Sequence, residues 1–206
     1  MARPSAPIDR DQLLALARAE FNARGFAAAR MEDIARAGRI SKAALYLRFP
    51  SKEAIFEEAV RDLIARTLPE MVPSEFGDVP AELLLRRFLA LAFTRLTEPE
   101  FAFVPRVIIG EGARFPELAR FYHEEVIVRV LELMTNLIRH GVARGEFACA
   151  NPDLACRTIA GGAIFAALWR VVFEPVGAEP IDPVQLAQVH ADTILGGLLA
   201  RGEQAT

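Results

Sequence analysis

Apolar side chains recur three or four positions apart along nearly the whole chain, and no stretch alternates apolar and polar residues between hairpin turns. That period belongs to helices packed on a core, so an all-α fold of about nine helices is expected. Leu13, Leu14, Ala17 and Phe21 form one stripe and Gly25 follows as a stop, which predicts a first helix over 9–24. Met31, Ile34 and Ala35 predict a short second helix over 31–38. Ser41 caps a third that ends at Phe49-Pro50, with Leu45 and Phe49 four apart and pointing inward together. Ser51 caps a fourth, with Glu53 in its first turn where the helix dipole favours an acid, running to Leu68 before Pro69. Three prolines and Gly77 between 69 and 80 mark a seam. Further helices are expected over 81–97, 100–110, 116–144, 152–174 and 183–201, where Pro116, Pro152 and Pro183 suit a first turn.

The 206 residues, 52% of them hydrophobic, suffice for a sizeable core. A net charge of −3 argues against a nucleic-acid binder until its distribution is read. Residues 1–52 hold eight Arg and two Lys against three Asp and two Glu, while the remainder holds 14 basic and 22 acidic residues. A basic head on an acidic body fits a nucleic-acid-reading tip on a carrier. Two cysteines make no disulfide framework, and the start of the chain lacks the apolar core of a secretory signal. The longest apolar run, Ile159 to Trp169, is shorter than the roughly 20 residues that span a bilayer. No membrane partner and a cytoplasmic location are therefore expected.

The segment from Met31 to Phe49 reads as a helix-turn-helix. Ile40 in its turn can plug the space between the two helices, while Lys42, Ala43, Ala44, Tyr46, Leu47 and Arg48 must face outward. Small residues early in the second helix allow close approach to base edges, and Ser41 and Lys42 stand where amides and charge suit phosphate. The pairs and runs Gly25-Phe26, Asp33-Ile34-Ala35, Ile40-Ser41-Lys42, Leu45-Tyr46, Phe49 and Lys52-Glu53-Ala54-Ile55-Phe56 occur in an order and spacing that resemble the tetracycline-repressor (TetR) family of regulators over about residues 8–60. Several positions depart from the family pattern. Ala29 and Arg30 replace the usual hydroxyl cap before helix 2, and the usual turn glycine falls on Arg39, one residue after Gly38. Ala44 replaces a frequent threonine, and Leu47-Arg48 a common Arg-His pair.

The resemblance implies a three-helix DNA-binding head, 1–55, and a helical ligand-binding and dimerisation body, 56–206. It implies contacts to double-stranded DNA, as a palindromic operator, from Arg30, Ser41, Lys42, Ala43, Ala44, Tyr46, Leu47, Arg48 and Lys52, the last clamping the backbone. Phosphate contacts set register and base edges set sequence. In the body, the segment 106–118 is similar to one subgroup of the family. By the same analogy the body encloses a pocket for a small hydrophobic ligand, with Phe88, Phe93, Phe103, Arg106, Phe121, Tyr122, Met134, Phe165 and Trp169 on its wall and Glu111, His123 and Asn136 as further polar handles. The small residues of the helix over 152–174 and the stripe on the last helix suggest a homodimer through Ile159, Gly162, Ala163, Ala166, Leu186, Val189, Ile194 and Leu198.

Enzymatic signals are missing from the sequence. None of the four serines lies in a nucleophile-elbow motif, no glycine-rich phosphate loop occurs, and His123, His140 and His190 lack metal-ligand spacing. No cofactor is expected. The sequence reads as a ligand-responsive DNA-binding repressor released from its operator by a hydrophobic effector. The rival reading is a helical protein-interaction or small-molecule-binding module without DNA binding.

Overall fold

Side-chain caps set many of the helix boundaries. The computed structural model describes residues 8–71 and 76–199. α1 (Arg10–Ala28) opens on a capping box in which Asp9 accepts the Gln12 amide and Gln12 reaches back to the Asp9 amide. α2 spans Met31–Ala37, α3 Lys42–Arg48 and α4 Lys52–Met71. Ser41 and Ser51 each accept the amide three residues on, as expected of N-caps. α5 (Ala81–Thr97), α6 (Phe103–Glu111) and α7 (Pro116–Tyr122) follow. A π-helical turn, His123–Ile127, joins α7 to α8 (Val128–Ala143), so the pair forms one rod. α9 (Pro152–Leu168) continues through another π turn, Trp169–Phe173, and α10 spans Pro183–Leu198. Phe147 and Leu199 form one isolated β-bridge, and there is no strand among the described residues.

Several boundaries differ from the sequence expectation: α6 starts at Phe103 rather than 100, α10 ends at Leu198 rather than 201, and two further differences have a clear local cause. Gly25 is a kink rather than a stop: at φ +73° and ψ 179° it breaks the rod, and one more turn follows. Pro69 lies inside α4, near enough to its end that the missing amide removes only one late hydrogen bond. Residues 72–75 of the seam, and 200–201 of the last helix, lie outside the described residues.

The apolar stripes build two cores. The first joins α1–α4 to α6 and α7. Its centre is a set of phenylalanine rings: Phe21 lies 5.3 Å edge-on to Phe56, and Phe103 lies 5.6 Å from Phe56. Each ring is buried, a contribution of about 1.5–3 kcal/mol apiece. The Arg18–Asp62 pair, at 2.9 Å, ties α1 to α4 beside it. The second core gathers α5, α8, α9 and α10. α4 runs from the first core to the second, Ile55 and Phe56 lying in one and Met71 in the other.

Candidate nucleic-acid interface and effector cavity

Burial of Met31, Ile34 and Ala35 seats α2 on the first core. The turn after it closes through the Ile40 amide, which donates to the Ala35 carbonyl at 3.0 Å, and Ile40 packs against the core. Arg39 takes φ +54°, the left-handed region that the displaced turn glycine would occupy without strain. Arg39→Gly is expected to raise stability by about 0.5–1 kcal/mol, after allowance for the entropy that glycine adds to the unfolded chain. A urea denaturation midpoint that stays or falls would show an unstrained turn.

α3 is pinned at both ends. Ser41 Oγ accepts the Ala44 amide at 3.1 Å, and Leu45 and Phe49 are buried. Lys42, Ala43, Tyr46, Leu47 and Arg48 face outward and Ala44 is half-buried; Leu47 is 87% exposed. Ser41 therefore serves first as the cap that orients this outward face. Lys42 pairs with Glu32, which raises its pKa and lowers that of Glu32, and its ammonium stands 5.6 Å from the Tyr46 ring. Arg48 donates to the Ile8 carbonyl at 2.8 Å. Arg30 and Arg39, both exposed, have no carboxylate partner among the described residues.

Lys52 departs from its expected role. Its ammonium donates to the carbonyls of Phe26, Ala27 and Ala29 at 2.7, 3.2 and 3.1 Å, so all three donors are spent inside the head and none is left for a DNA phosphate. Lys52 ties the start of α4 to the end of α1.

Between the two cores lies a cavity of about 640 Å³, walled by α4 to α9 and overwhelmingly apolar. Phe88, Tyr122 and Met134 line it as the sequence suggests. The other expected wall residues do not. Phe103 is committed to the first core, Phe93 packs on His190 at 5.3 Å, and Phe121 lies under the Arg61 guanidinium at a separate surface cleft. Arg106 is exposed, and the Phe165 and Trp169 rings pack tilted, 5.9 Å apart, away from the cavity. Of the other handles, His123 reaches the cavity, Asn136 faces outward, and Glu111 turns to α1.

Arg95 is a handle that periodicity does not reveal. Its terminal nitrogens bind Glu98 at 3.1 Å and Glu70 at 2.6 Å, while its Nε is buried without a partner at the cavity wall. Burial pushes the Tyr122 phenol up to about 12.

The expected dimer face also shifts. Ile159, Ala163, Ala166 and Leu198 are buried within the protomer, and Leu186 and Ile194 are half-buried against the second core. Gly162 lies under the His190 ring: a Cβ there would stand 2.5 Å from His190 Cε1. The small residues of α9 thus admit α10 of the same chain. Val189 alone of the expected set is well exposed, at 57%. The outer side of α9 carries Leu154 and Phe165, while Ile164 sits at the cavity wall; Phe165, Trp169 and Phe173 form an aromatic ladder. The stretch Pro152–Val176 is long and apolar enough to cross a membrane by length and composition alone, and only 22% of its most apolar window is buried, so much of this helix is left uncovered within the protomer.

Residues 13–59 match the family model described as bacterial regulatory proteins, tetR family, and residues 84–195 match that of the AefR-like transcriptional repressor C-terminal domain. The chain is 29% identical over 199 residues to the HTH-type transcriptional repressor KstR2 of Mycolicibacterium smegmatis, covering 95% of this chain and 93% of that one. Its fold is similar to that of the fatty acid degradation regulator FadR from Bacillus halodurans (TM-score 0.77, 22% identity, 98% of this chain and 100% of that one). It is also similar to that of the ketosteroid transcriptional regulator KstR2 of Mycobacterium tuberculosis (TM-score 0.71, 22% identity, 98% and 100%).

Proposed function

The chain belongs to the tetR family of bacterial regulatory proteins, a family of DNA-binding transcriptional regulators rather than enzymes, and from that premise we propose that it is a cytoplasmic repressor released from a palindromic operator by a small hydrophobic effector. The outward face of α3 carries this reading: a reader with Leu47 almost fully exposed, buried on its other side through Leu45 and Phe49. Lys42 exchanges Glu32 for phosphate, Arg30, Arg39 and Arg48 supply further charge, and Ala43, Tyr46 and Leu47 meet base edges. Residues 1–55 act as the reading head and 56–206 as the sensing, dimerising body.

The test is selection of bound genomic fragments, then fluorescence anisotropy on a recovered duplex in rising salt. Tight binding that weakens steeply with salt is expected. No binding at low ionic strength, or a flat salt response, overturns the proposal.

Two proteins with this fold are described as a fatty acid degradation regulator and a ketosteroid transcriptional regulator, and fatty acids and ketosteroids are both largely apolar molecules. The cavity here suits a molecule of that kind, since its volume falls in the range of small-molecule sites and Arg95 Nε and the Tyr122 hydroxyl offer donors to one or two acceptor groups. Occupancy alters the spacing of the two heads, and by linkage DNA must weaken effector binding by the same factor.

The protomers meet through the exposed side of α9 and α10, with Phe165 and Val189 at its centre. Phe165→Glu is expected to convert a dimer into a 22.7 kDa monomer in light scattering and to weaken operator binding. A variant that stays dimeric places the interface elsewhere.

A further inference from the structure

Two helices that wall the cavity end on the same turn of the head. α4 contributes Leu63 and Thr67 to the wall and begins with Lys52; α6 contributes Val104 and Ile108 and ends with Glu111. The Glu111 carboxylate accepts the Phe26 amide at 2.6 Å and the Ala27 amide at 2.7 Å. Lys52 holds the carbonyls of Phe26, Ala27 and Ala29. One cavity helix therefore grips the amides of this turn and the other its carbonyls. α2 starts at Met31, two residues beyond it.

We propose that Glu111 is the positioning residue through which α6, and so the state of the cavity wall, sets the orientation of the DNA-reading head. This rests on the reading of the cavity as the effector site. A carboxylate bound to two backbone amides forms short, strong, directional hydrogen bonds that fail together when the helix bearing it moves by about an ångström. With Lys52 holding the other side of the turn, a shift of α6 relative to α4 must reorient the turn or release it. Gly25 leaves room for the carboxylate, because a Cβ there would stand 2.3 Å from Glu111 Oε1.

The test uses the full chain. Ile108→Phe pushes a larger side chain into the cavity from α6, and Glu111→Gln removes the charge of the grip. Hydrogen exchange at the Phe26 and Ala27 amides is expected to quicken about tenfold in Glu111→Gln, the loss of a charge-assisted bond, with Leu13 to Ala17 unchanged. Ile108→Phe quickens the same two amides and weakens operator binding in the parent chain, but adds nothing to either readout in the Glu111→Gln background. The proposal is overturned if the two effects multiply, if Ile108→Phe leaves exchange at Phe26 and Ala27 untouched, or if Glu111→Gln loosens all of α1 alike. The exchange arm needs no DNA, so it decides the relay even if every duplex is ignored, a result that would overturn the proposed function alone.

Discussion

Gly25→Ala is expected to cost about 3–4 kcal/mol of folding stability, and two separate effects combine to produce that figure. Its backbone, at φ +73° and ψ 179°, occupies a region essentially reserved for glycine, which costs about 1–3 kcal/mol for any other residue. The new Cβ would also stand 2.3 Å from Glu111 Oε1. The carboxylate can swing away, but the Phe26 and Ala27 amides then lose their acceptor, a further ~1.5–3 kcal/mol. For a chain of this size the melting temperature should fall by about 10 °C. Gly145→Ala is the control, since φ is +72° there and nothing lies within 4 Å of a built Cβ. It should cost only the backbone part, about 1 kcal/mol. Equal losses for the two variants would show that the Glu111 contact contributes nothing to stability.

The same glycine shows where sequence reasoning stops. The helix period and the caps at Asp9, Ser41 and Ser51 made nearly every helix legible, because both are local signals. Gly25 followed an apolar stripe and so read as a stop. That it is a kink depends on a carboxylate 86 residues away in the chain, which no local pattern encodes. Lys52 misled for a related reason: its place at the start of α4 fits a phosphate clamp, yet the carbonyls it binds lie 23–26 residues upstream.

The body was less legible because composition does not tell which face a residue occupies. Phenylalanine is common both in cores and on ligand walls, so Phe103 and Phe93 could not be told from Phe88 before packing was known. Small residues permit close helix approach within a protomer as readily as between protomers, and the His190 ring on Gly162 decides in favour of the former. The outward side of α3 was legible apart from Ala44, which is half-buried, since Leu45 and Phe49 fix the helix's orientation by burial and the positions between them follow from the helical repeat.

Leu47→Asp is expected to lower operator affinity at least about 100-fold while leaving the melting temperature within error. Leu47 is 87% exposed, so its replacement removes almost no packing, and exposed substitutions of this kind change stability by about 0.5 kcal/mol or less. On DNA the carboxylate would meet the acceptor-rich field of the groove with no cation assigned to it, since the role proposed for Lys42 is at phosphate. It also removes an apolar contact to a base edge, together about 3 kcal/mol. Leu47→Ala separates the two parts: it keeps the charge balance, and so should change the preference between operator variants more than the salt dependence. Arg39→Ala should do the reverse, weakening all duplexes alike and reducing the salt slope by about one. If Leu47→Asp binds the selected duplex as the parent chain does, α3 does not enter the groove, however well its geometry suits one.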